Sequence, residues 1–426
     1  MLARTDTEAR PGDGADAGAS GDGDPLRGRR FLIVSAPFGP FSRHLAAELR
    51  RRGASVTRVL FNAGDLMDWG GDHAIRFQQG PEAWPEAFHA LANDGFTDIL
   101  TFGEGGPYNR AVLDQAASAR ANVWVLENGY FRPHWITVER NGVNARSNLP
   151  RSADGYPAPA PEEAPFQPAG RILPAHVVNL SLYHLIQLPG RPLFPRYGKP
   201  YTQPAWKQCA GHIWRFIRLR FTPRSHADAA RIAARGPFFL VCLQREGDAQ
   251  LLAYSAFKSN AEFMARVFDS FAAHADPADR LVVKNHPLDP GLIDLKRQTI
   301  RLAAERGLAG RVDFIDGGLL AQLCRASRGM VVNNSTAALS ALGFGTPVKV
   351  LGDAFFDFEG LTDQKPLDAF WAAPTPADHD LFVRFRAHVM ARTQVNGNYH
   401  DRSMRDLTIR NLTDFLARRI AETHDA

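Results

Sequence analysis

The stretch GPFFLVCLQREGD, residues 236–248, decides the predicted fold. An apolar run, PFFLVCL, is followed at once by polar and charged residues around one glycine. A short apolar run bounded by turn residues is typical of a strand buried on both faces of a parallel sheet. Ligands of open α/β sheets bind beyond the carboxyl ends of such strands. The stretch therefore predicts a ligand site at a sheet edge, although a solvated loop with a cap residue would give the same pattern.

The second half of the chain repeats the pattern of a buried strand followed by a helix. Strands are predicted at 237–243, 280–284, 312–315, 329–333 and 347–351, and helices at 260–274, 291–306, 319–326 and 336–343. Such alternation predicts a parallel sheet covered by helices, which is a Rossmann-like layer. One or two amphipathic helices are expected at 378–424.

The first half shows the same alternation. Strands are predicted at 31–35, 55–61, 97–103 and 122–130, with helices at 42–52 and 107–121. We interpret this block as a second parallel layer. The sequence therefore predicts an α/β protein with two Rossmann-like domains facing a cleft, and an active site in that cleft.

Five segments follow from these patterns. They are a disordered leader (1–28), an N-terminal Rossmann-like domain (29–165), a helical connection (166–235), a C-terminal Rossmann-like domain (236–385) and C-terminal helices (386–426). The leader is rich in Ala, Gly and Asp and has no apolar core, so it is not interpreted as a signal peptide. The basic, aromatic helix predicted around 205–221 either packs between the domains or lies on a membrane surface.

Composition limits the class of protein. The chain has 426 residues, 45% of them apolar, which suits two globular domains. Its formal charge of +5 fits an anionic substrate or membrane surface, but no nucleic-acid recognition motif accompanies it. Three scattered cysteines predict neither disulfides nor a zinc site and suit a reducing cytoplasm. The P-loop, the dinucleotide-binding fingerprint and the zinc-protease motif are all missing.

Four polar clusters follow predicted strands. The residues are Gln244 to Asp248; Lys284, Asn285 and His286; Asn333, Asn334, Ser335 and Thr336; and, in the first domain, Glu127, Tyr130, Arg132, Glu139 and Asn144. Three clusters end strands of one sheet, so they are expected along one edge of the cleft. Ser335 or Thr336 would cap a helix whose free amides could hold a phosphate.

Each cluster also has a purely structural interpretation. His286 before a proline is compatible with a turn residue, and any strand-to-helix junction favours a cap such as NNST. Glu127 could form an ordinary ion pair with Arg132. Asp289 and Asp353 are interpreted as turn residues.

The ordered set of motifs resembles the KpsS/LipB-type capsule proteins, which are β-Kdo transferases of capsule lipid-anchor synthesis. The resemblance covers residues 31–371. Its motifs are FNAGD (61–65), ENGYFRPHWITVE (127–139), GVN (142–144), Gln244–Asp248, KNHP (284–287), NNST (333–336) and GTPVKVLGDAFFDFEGLT (345–362).

The resemblance implies a GT-B type glycosyltransferase fold and a CMP-Kdo-dependent enzyme without a metal or other cofactor in the catalytic step. The C-terminal domain would bind CMP-Kdo, and the N-terminal domain a (lyso)phosphatidylglycerol lipid anchor or its Kdo linker. Asp248 resembles the nucleophile, and His286 the residue that engages the donor phosphate. The enzyme would be cytoplasmic, peripheral at the inner face of the membrane, with the capsule assembly machinery as partner.

The remaining candidates complete this assignment. Donor-binding residues are predicted to be Gln244, Lys284, His286, Pro287, Asn333, Asn334, Ser335 and Thr336; acceptor-side residues Glu104, Tyr130, Arg132 and Glu139; and the base Glu127. Glu104 stands where the family usually has Asp, and Asn128 where it usually has a second acid. Two alternatives remain open: another CMP-sugar transferase of sialyl type, and a non-catalytic capsule-export accessory protein.

Overall fold

The computed structural model describes residues 3–4, 23–163, 165–170, 173–198, 205–221, 228–247 and 249–424. The chain divides into two compact units. The first unit is Met1–Val143, Ala164–Pro200 and Thr393–Ala426, and the second unit is Asn144–Glu163 and Tyr201–Arg392.

Strands and helices alternate through most of the described chain. The strands are β1 (Ala3–Arg4), β2 (Arg30–Ile33), β3 (Ser55–Leu60), β4 (Ala74–Arg76), β5 (Asp98–Phe102), β6 (Asn122–Asn128), β7 (Trp135–Arg140), β8 (Phe238–Cys242), β9 (Arg280–Lys284), β10 (Val312–Ile315), β11 (Gly329–Val332), β12 (Val348–Val350) and β13 (Gln394–Asn396). The helices are α1 (Phe41–Arg51), α2 (Ala63–Trp69), α3 (Trp84–Ala92), α4 (Gly106–Gln115), α5 (Leu173–Gln187), α6 (Ala205–Phe221), α7 (Ala229–Ala233), α8 (Ala249–Ala253), α9 (Asn260–His274), α10 (Leu295–Glu305), α11 (Leu320–Ala326), α12 (Ala337–Gly343), α13 (Leu367–Phe370), α14 (His379–Thr393) and α15 (Arg405–His424).

The second unit has the parallel sheet that the apolar runs predict. Its strand order is β10-β9-β8-β11-β12, and every neighbouring pair is parallel. All five residues of β8 are buried, because helices cover both faces of a sheet of this kind. Phe239 and Val241 on one face belong to a core with Phe263, Phe271 and Trp371. The predicted bounds of β9, β10 and α9 agree with the structure.

The first unit has a mixed sheet of order β1-β4-β3-β2-β5-β6-β7-β13. Its centre, β4 to β6, is parallel, whereas β1–β4, β6–β7 and β7–β13 pair antiparallel. The prediction of a purely parallel layer is therefore wrong at both edges. The stretch ENGYFRPHWITVER forms a hairpin, because the turn around Arg132 and Pro133 returns the chain along β6.

The two units do not follow the predicted segments everywhere. The segment predicted as a single connection is divided, since α5 belongs to the first unit and α6 to the second. Residues 144–163 belong to the second unit, where Arg146 Nε donates to the Tyr254 hydroxyl at 2.5 Å. At the other end, β13 joins the first sheet and α15 packs on α1.

The folded part of the first unit begins before the predicted residue 29. Leu26 is fully buried, and Asp24 accepts a hydrogen bond from Arg52 Nε at 2.8 Å. Ala3 and Arg4 pair with β4. The rest of the predicted leader, residues 1–2 and 5–22, lies outside the described residues.

Candidate active site

The strand order of the second unit defines where a ligand would bind. Successive strands run outward from β8 through β9 to β10 on one side, and from β11 to β12 on the other. The order therefore reverses between β8 and β11, and open α/β sheets bind ligands beyond the carboxyl ends of strands at such a switch point. Gln244 follows β8 and Asn333 follows β11, so both lie at this position.

Three predicted donor-binding residues form one hydrogen-bond network there. Gln244 Nε2 donates to Asn334 Oδ1 at 2.7 Å, and Asn333 Nδ2 donates to Gln244 Oε1 at 2.9 Å. Asn334 Nδ2 donates in turn to the carbonyls of Gln250 and Tyr254. Asn333 is 1% exposed, yet its Oδ1 accepts no hydrogen bond from a described group. A buried acceptor of this kind is suited to a ligand N–H or hydroxyl.

The loop after β9 carries the second predicted cluster. His286 is half-buried, and its Nδ1 accepts the amide N–H of Leu288 at 3.0 Å. Asn285 Oδ1 accepts the amide N–H of His286 at 2.8 Å. These bonds fix the orientation of the imidazole. Pro287 is exposed next to it.

Lys284 ends β9 with a buried side chain. Burial lowers the pKa of its ammonium group, while the neighbouring Asp316 carboxylate raises it and Arg215 lowers it further. Two thiols are close in the same region, and burial raises the pKa of Cys242 and of Cys324 to about 12 each, so both are neutral packing groups. Lys284 is the basic side chain at the carboxyl end of β9.

Asp289 is a buried residue that connects two loops, so its interpretation as a turn residue was incomplete. It is 2% exposed, and its carboxylate accepts amide N–H groups from Gly291 and from Glu246. Burial raises the pKa of this carboxyl, although the two amide bonds oppose that effect. Since Glu246 lies in the loop after β8, Asp289 holds that loop to the loop of His286.

Arg215 of α6 is a site residue that the sequence analysis missed. It is 6% exposed, and its guanidinium binds both carboxylate oxygens of Asp316, which follows β10. Its Nη1 donates to the carbonyls of Pro287 and Asp289 at 2.6 and 2.8 Å. Arg215 thus holds the His286 loop in place. Burial alone would raise the pKa of Asp316, but the bonds and charge of Arg215 hold it below its ordinary value.

Ser335 and Thr336 lie at the start of α12, as predicted. Thr336 is the N-cap residue, but its side chain makes no capping bond. Ser335 Oγ instead accepts the amide N–H of Ala337 at 3.3 Å. Both residues are half-buried. Asp248, the predicted nucleophile, lies outside the described residues.

The predicted acceptor-side residues of the first unit make internal hydrogen bonds. The Tyr130 hydroxyl donates to Glu139 Oε1 at 2.6 Å, and both side chains are buried. Glu104 Oε1 accepts the amide N–H of Val143 at 3.1 Å. Arg132 Nε donates to the Gly129 carbonyl. The bonds of Tyr130 and Arg132 lie within the β6–β7 hairpin, whereas that of Glu104 joins the loop after β5 to the segment after β7. An acceptor-binding role for these residues stays a prediction.

Glu127 is the half-buried residue predicted as the base, and it lies near the end of β6. Its Oε1 accepts the amide N–H of Asn128 at 2.8 Å. Its negative charge adds to burial in raising the pKa of Tyr399. The carboxylate is thus held by its own strand end, and its role as a base stays a prediction.

Gly352, which follows β12, provides a direct test of the network. A Cβ at this position would lie 2.5 Å from Asn333 Oδ1 and 3.3 Å from the Asn333 carbonyl oxygen. Gly352→Ala is therefore expected to displace the Asn333 amide from Gln244 and to cost about 1–3 kcal/mol of unfolding free energy. Urea denaturation of the single variants and of Gly352→Ala/Asn333→Ala would measure this cost. If the unfolding free energy lost in Gly352→Ala/Asn333→Ala equals the sum of the losses in the two single variants, the added Cβ does not act through Asn333.

Two further kinds of feature, metal-ligand clusters and membrane-spanning helices, bear on the class of site. The described residues contain no group of three or more His, Cys, Asp or Glu side chains that could hold a metal ion. Among the same residues, no helix combines the length and the apolar character needed to cross a membrane.

Comparison with known proteins identifies the family. A profile described as "Capsule polysaccharide biosynthesis protein" matches residues 97–400, and the chain belongs to this family. It is 34% identical over 392 residues to the capsule polysaccharide modification protein LipB of Neisseria meningitidis serogroup A, covering 87% of this chain and 91% of LipB. It is 31% identical over 383 residues to the capsule polysaccharide export protein KpsS of Escherichia coli, covering 88% of this chain and 98% of KpsS. The predicted resemblance to KpsS/LipB-type proteins is confirmed.

The chain also has a weaker likeness to proteins of known structure. The chain matches KpsC of Thermosulfurimonas dismutans, described as a beta Kdo 2,7 transferase, at 14% identity and a TM-score of 0.40. The match covers 91% of this chain and 99% of that one. The α/β class with two Rossmann-like units, predicted from the sequence, is confirmed by the two sheets described above.

Proposed function

We propose that this protein is a retaining β-Kdo transferase of capsular polysaccharide biosynthesis and export. It would transfer Kdo from CMP-Kdo to a (lyso)phosphatidylglycerol lipid anchor or to the Kdo linker on it. The observation that carries the proposal is the buried network of Gln244, Asn333 and Asn334 at the switch point of the second unit. Family membership and the likeness to LipB and KpsS support the capsule context.

The donor half of the reaction needs groups that accept a leaving phosphate. When the bond from the anomeric carbon to CMP breaks, the electron pair leaves on a phosphate oxygen. Lys284 ends β9 and His286 follows it, whereas Ser335 and Thr336 follow β11, so basic side chains are available on one side of β8 and hydroxyl donors on the other. The side-chain oxygen Oδ1 of Asn333 is suited to a hydroxyl or amino group of the donor.

Retention of configuration requires two displacements. In the first, the Asp248 carboxylate would attack the anomeric carbon while CMP leaves, which gives a Kdo–Asp248 ester. In the second, the acceptor hydroxyl would attack the same carbon and release the carboxylate. The proton of the acceptor hydroxyl would pass to a base, for which Glu127 stays the candidate. No metal or further cofactor enters these steps.

The proposed acceptor also indicates where in the cell the reaction would take place. A phosphatidylglycerol-type acceptor lies in a membrane, so we place the protein at the inner face of the cytoplasmic membrane with the capsule assembly machinery. The exposed face of α6 fits this location, since Trp214 and Phe221 are 67% and 81% exposed beside the cations of Lys207 and Arg218.

Mass spectrometry of the purified protein tests the proposal. CMP-Kdo would be generated in situ and incubated with and without a phosphatidylglycerol analogue, and CMP-sialic acid would serve as the competing donor. We expect an acceptor mass increased by one Kdo residue and release of CMP only with CMP-Kdo. Turnover of CMP-sialic acid alone would assign a different donor. A folded protein that turns over neither donor would instead support the accessory role.

A further inference from the structure

The first unit contains a polar pocket that the proposed reaction steps do not use. It is a shallow, partly open pocket between the loop after β2, helix α5 and the segment that links β13 to α15. Its lining residues are Phe38, Pro40, Phe41, Asn179, Tyr399, His400, Asp401, Arg402 and Arg405. All of them belong to the first unit.

This pocket lies next to the switch point of the first sheet. The order β4-β3-β2-β5-β6 reverses between β2 and β5, and the loop after β2 forms one wall. Ser35 Oγ joins the two strand ends, because it accepts the amide N–H of Phe102 at 2.8 Å. The ring of Tyr399 packs edge-on against Phe41 and Phe102. Strand order therefore favours a ligand at this position, as it does in the second unit.

The loop after β2 is held in one conformation. Gly39 has a φ of +97°, and a Cβ there would lie 2.4 Å from Asn179 Nδ2. Its amide N–H donates to Asp68 Oδ2 at 2.8 Å. Helix α1 then starts with Pro40 as its N-cap, which has no side-chain oxygen to cap the helix. The amides of the first turn of this 11-residue helix consequently lie beside the pocket with no cap from Pro40.

His400 provides independent support for a ligand. It is 9% exposed, and its Nδ1 is buried without a hydrogen-bond partner among the described groups. The ring packs against His176 at 4.1 Å, and burial together with His176 lowers the pKa of His400 to about 3. The imidazole is therefore neutral near pH 7. A buried polar atom without a partner needs an explanation, and a ligand in the pocket would supply one.

The charges of the pocket favour an anion. Arg402 is exposed and Arg405 half-buried, and Arg405 Nη1 lies 3.3 Å from His44 Nε2. The lining carboxylate, Asp401, already accepts hydrogen bonds from the Gly170 amide, the Ser403 amide and Ser403 Oγ. The two arginines outnumber this carboxylate, so the lining has a net positive charge that favours an external anion, and arginine matches the geometry of phosphate oxygens.

We propose that this pocket binds a phosphate ester through Arg402, Arg405, His400 and the start of α1. Resting on the proposed function, we assign this group to the phosphate of the anionic acceptor. The guanidinium groups would neutralise the charge, while the helix start and the imidazole would donate hydrogen bonds. The acceptor would thus be held by its headgroup, separately from the donor network of the second unit.

Binding to the full-length protein tests the site without any CMP-sugar. Calorimetric titration would use inorganic phosphate and glycerol 3-phosphate, and flotation would compare phosphatidylglycerol with phosphatidylcholine vesicles. We expect saturable binding that weakens at least tenfold in Arg402→Gln/Arg405→Gln. Arg418→Gln, an exposed arginine further along α15, is the matched control and should bind like the wild type. Circular dichroism would verify that all variants are folded.

The probes distinguish the source of the phosphate. Tight binding to phosphatidylglycerol vesicles, lost in the double variant, would assign the site to a lipid headgroup. If the protein binds soluble phosphates but binds phosphatidylglycerol and phosphatidylcholine vesicles equally, the phosphate site is supported and its assignment to a lipid headgroup is overturned. Equal affinities in wild type and double variant, or no saturable binding of any probe, would overturn the site itself. Because no donor is present, these outcomes do not depend on transferase activity.

Discussion

Arg215→Met is expected to lower the unfolding free energy of the second unit by about 3–5 kcal/mol. The variant leaves the Asp316 carboxylate buried without its bidentate partner, whose two bonds measure 2.5 and 3.1 Å. Both side chains are 7% exposed, so water cannot replace the lost bonds without structural change. The carbonyls of Pro287 and Asp289 would lose their donor as well.

Arg218 offers a matched control on the same helix. It binds the same carboxylate at 3.1 Å, but its side chain is 49% exposed. Arg218→Met should therefore cost less than about 1 kcal/mol, as exposed ion pairs do. Arg215→Met/Asp316→Leu should recover much of the stability, since the unpaired charge is then removed. Urea denaturation followed by tryptophan fluorescence would measure all four proteins.

The same variants separate stability from ligand binding. Arg215 holds the His286 loop, so we expect CMP affinity to fall about tenfold in Arg215→Met and to stay low in the double variant, whereas Arg218→Met should bind CMP normally. Calorimetric titration with CMP would measure this difference. If the urea midpoint of Arg215→Met equals that of the wild type, Arg215 does not stabilise the second unit through its bonds to Asp316 and to the His286 loop.

Asp248→Asn is expected to lower the rate of Kdo transfer by about 10³-fold or more, in line with the loss seen when an enzyme nucleophile is removed. An amide has nearly the shape of a carboxylate but neither its charge nor its nucleophilicity. CMP binding should change by less than about threefold, because the residue is proposed to act on the anomeric carbon and not on the nucleotide. A mass-spectrometric time course of transfer would measure the rate.

Glu359→Gln is the control for this experiment. It removes an exposed carboxylate from the same unit and should leave the transfer rate unchanged. In the wild type without acceptor, a Kdo adduct on the peptide that contains Asp248 would support the double displacement. Retention of more than a tenth of the wild-type rate in Asp248→Asn would exclude Asp248 as the nucleophile.

The sequence predicted the second unit closely because the relevant signals are local. Each buried strand is a short apolar run, and each run ends where polar residues begin, as at Lys284 and Gln244. The candidate donor-binding residues Gln244, Asn333 and Asn334 were predicted for the same reason. Their direct hydrogen bonds follow from the parallel strand order, which places the ends of β8 and β11 side by side.

Pairing over long distances in the chain was decided only by the tertiary structure. At one edge of the first sheet, β13 pairs antiparallel with β7. There Gln394 Nε2 donates to Thr137 Oγ1, a residue 257 positions earlier in the chain. Arg215 and Asp316 are separated by 101 residues, and nothing near either residue indicates the other. The pocket proposed to bind a phosphate ester likewise combines Pro40, Asn179 and His400 from three distant segments.

The sequence by itself therefore determined the buried strands, the α/β class and the polar residues at the strand ends of the second unit. Burial of an apolar run is a property of neighbouring residues, so composition and spacing are sufficient to identify it. The tertiary structure alone decided which charges are paired, which loops are held and where an unpartnered polar atom is buried. Those properties depend on desolvation and on contacts between segments that only the folded chain brings together.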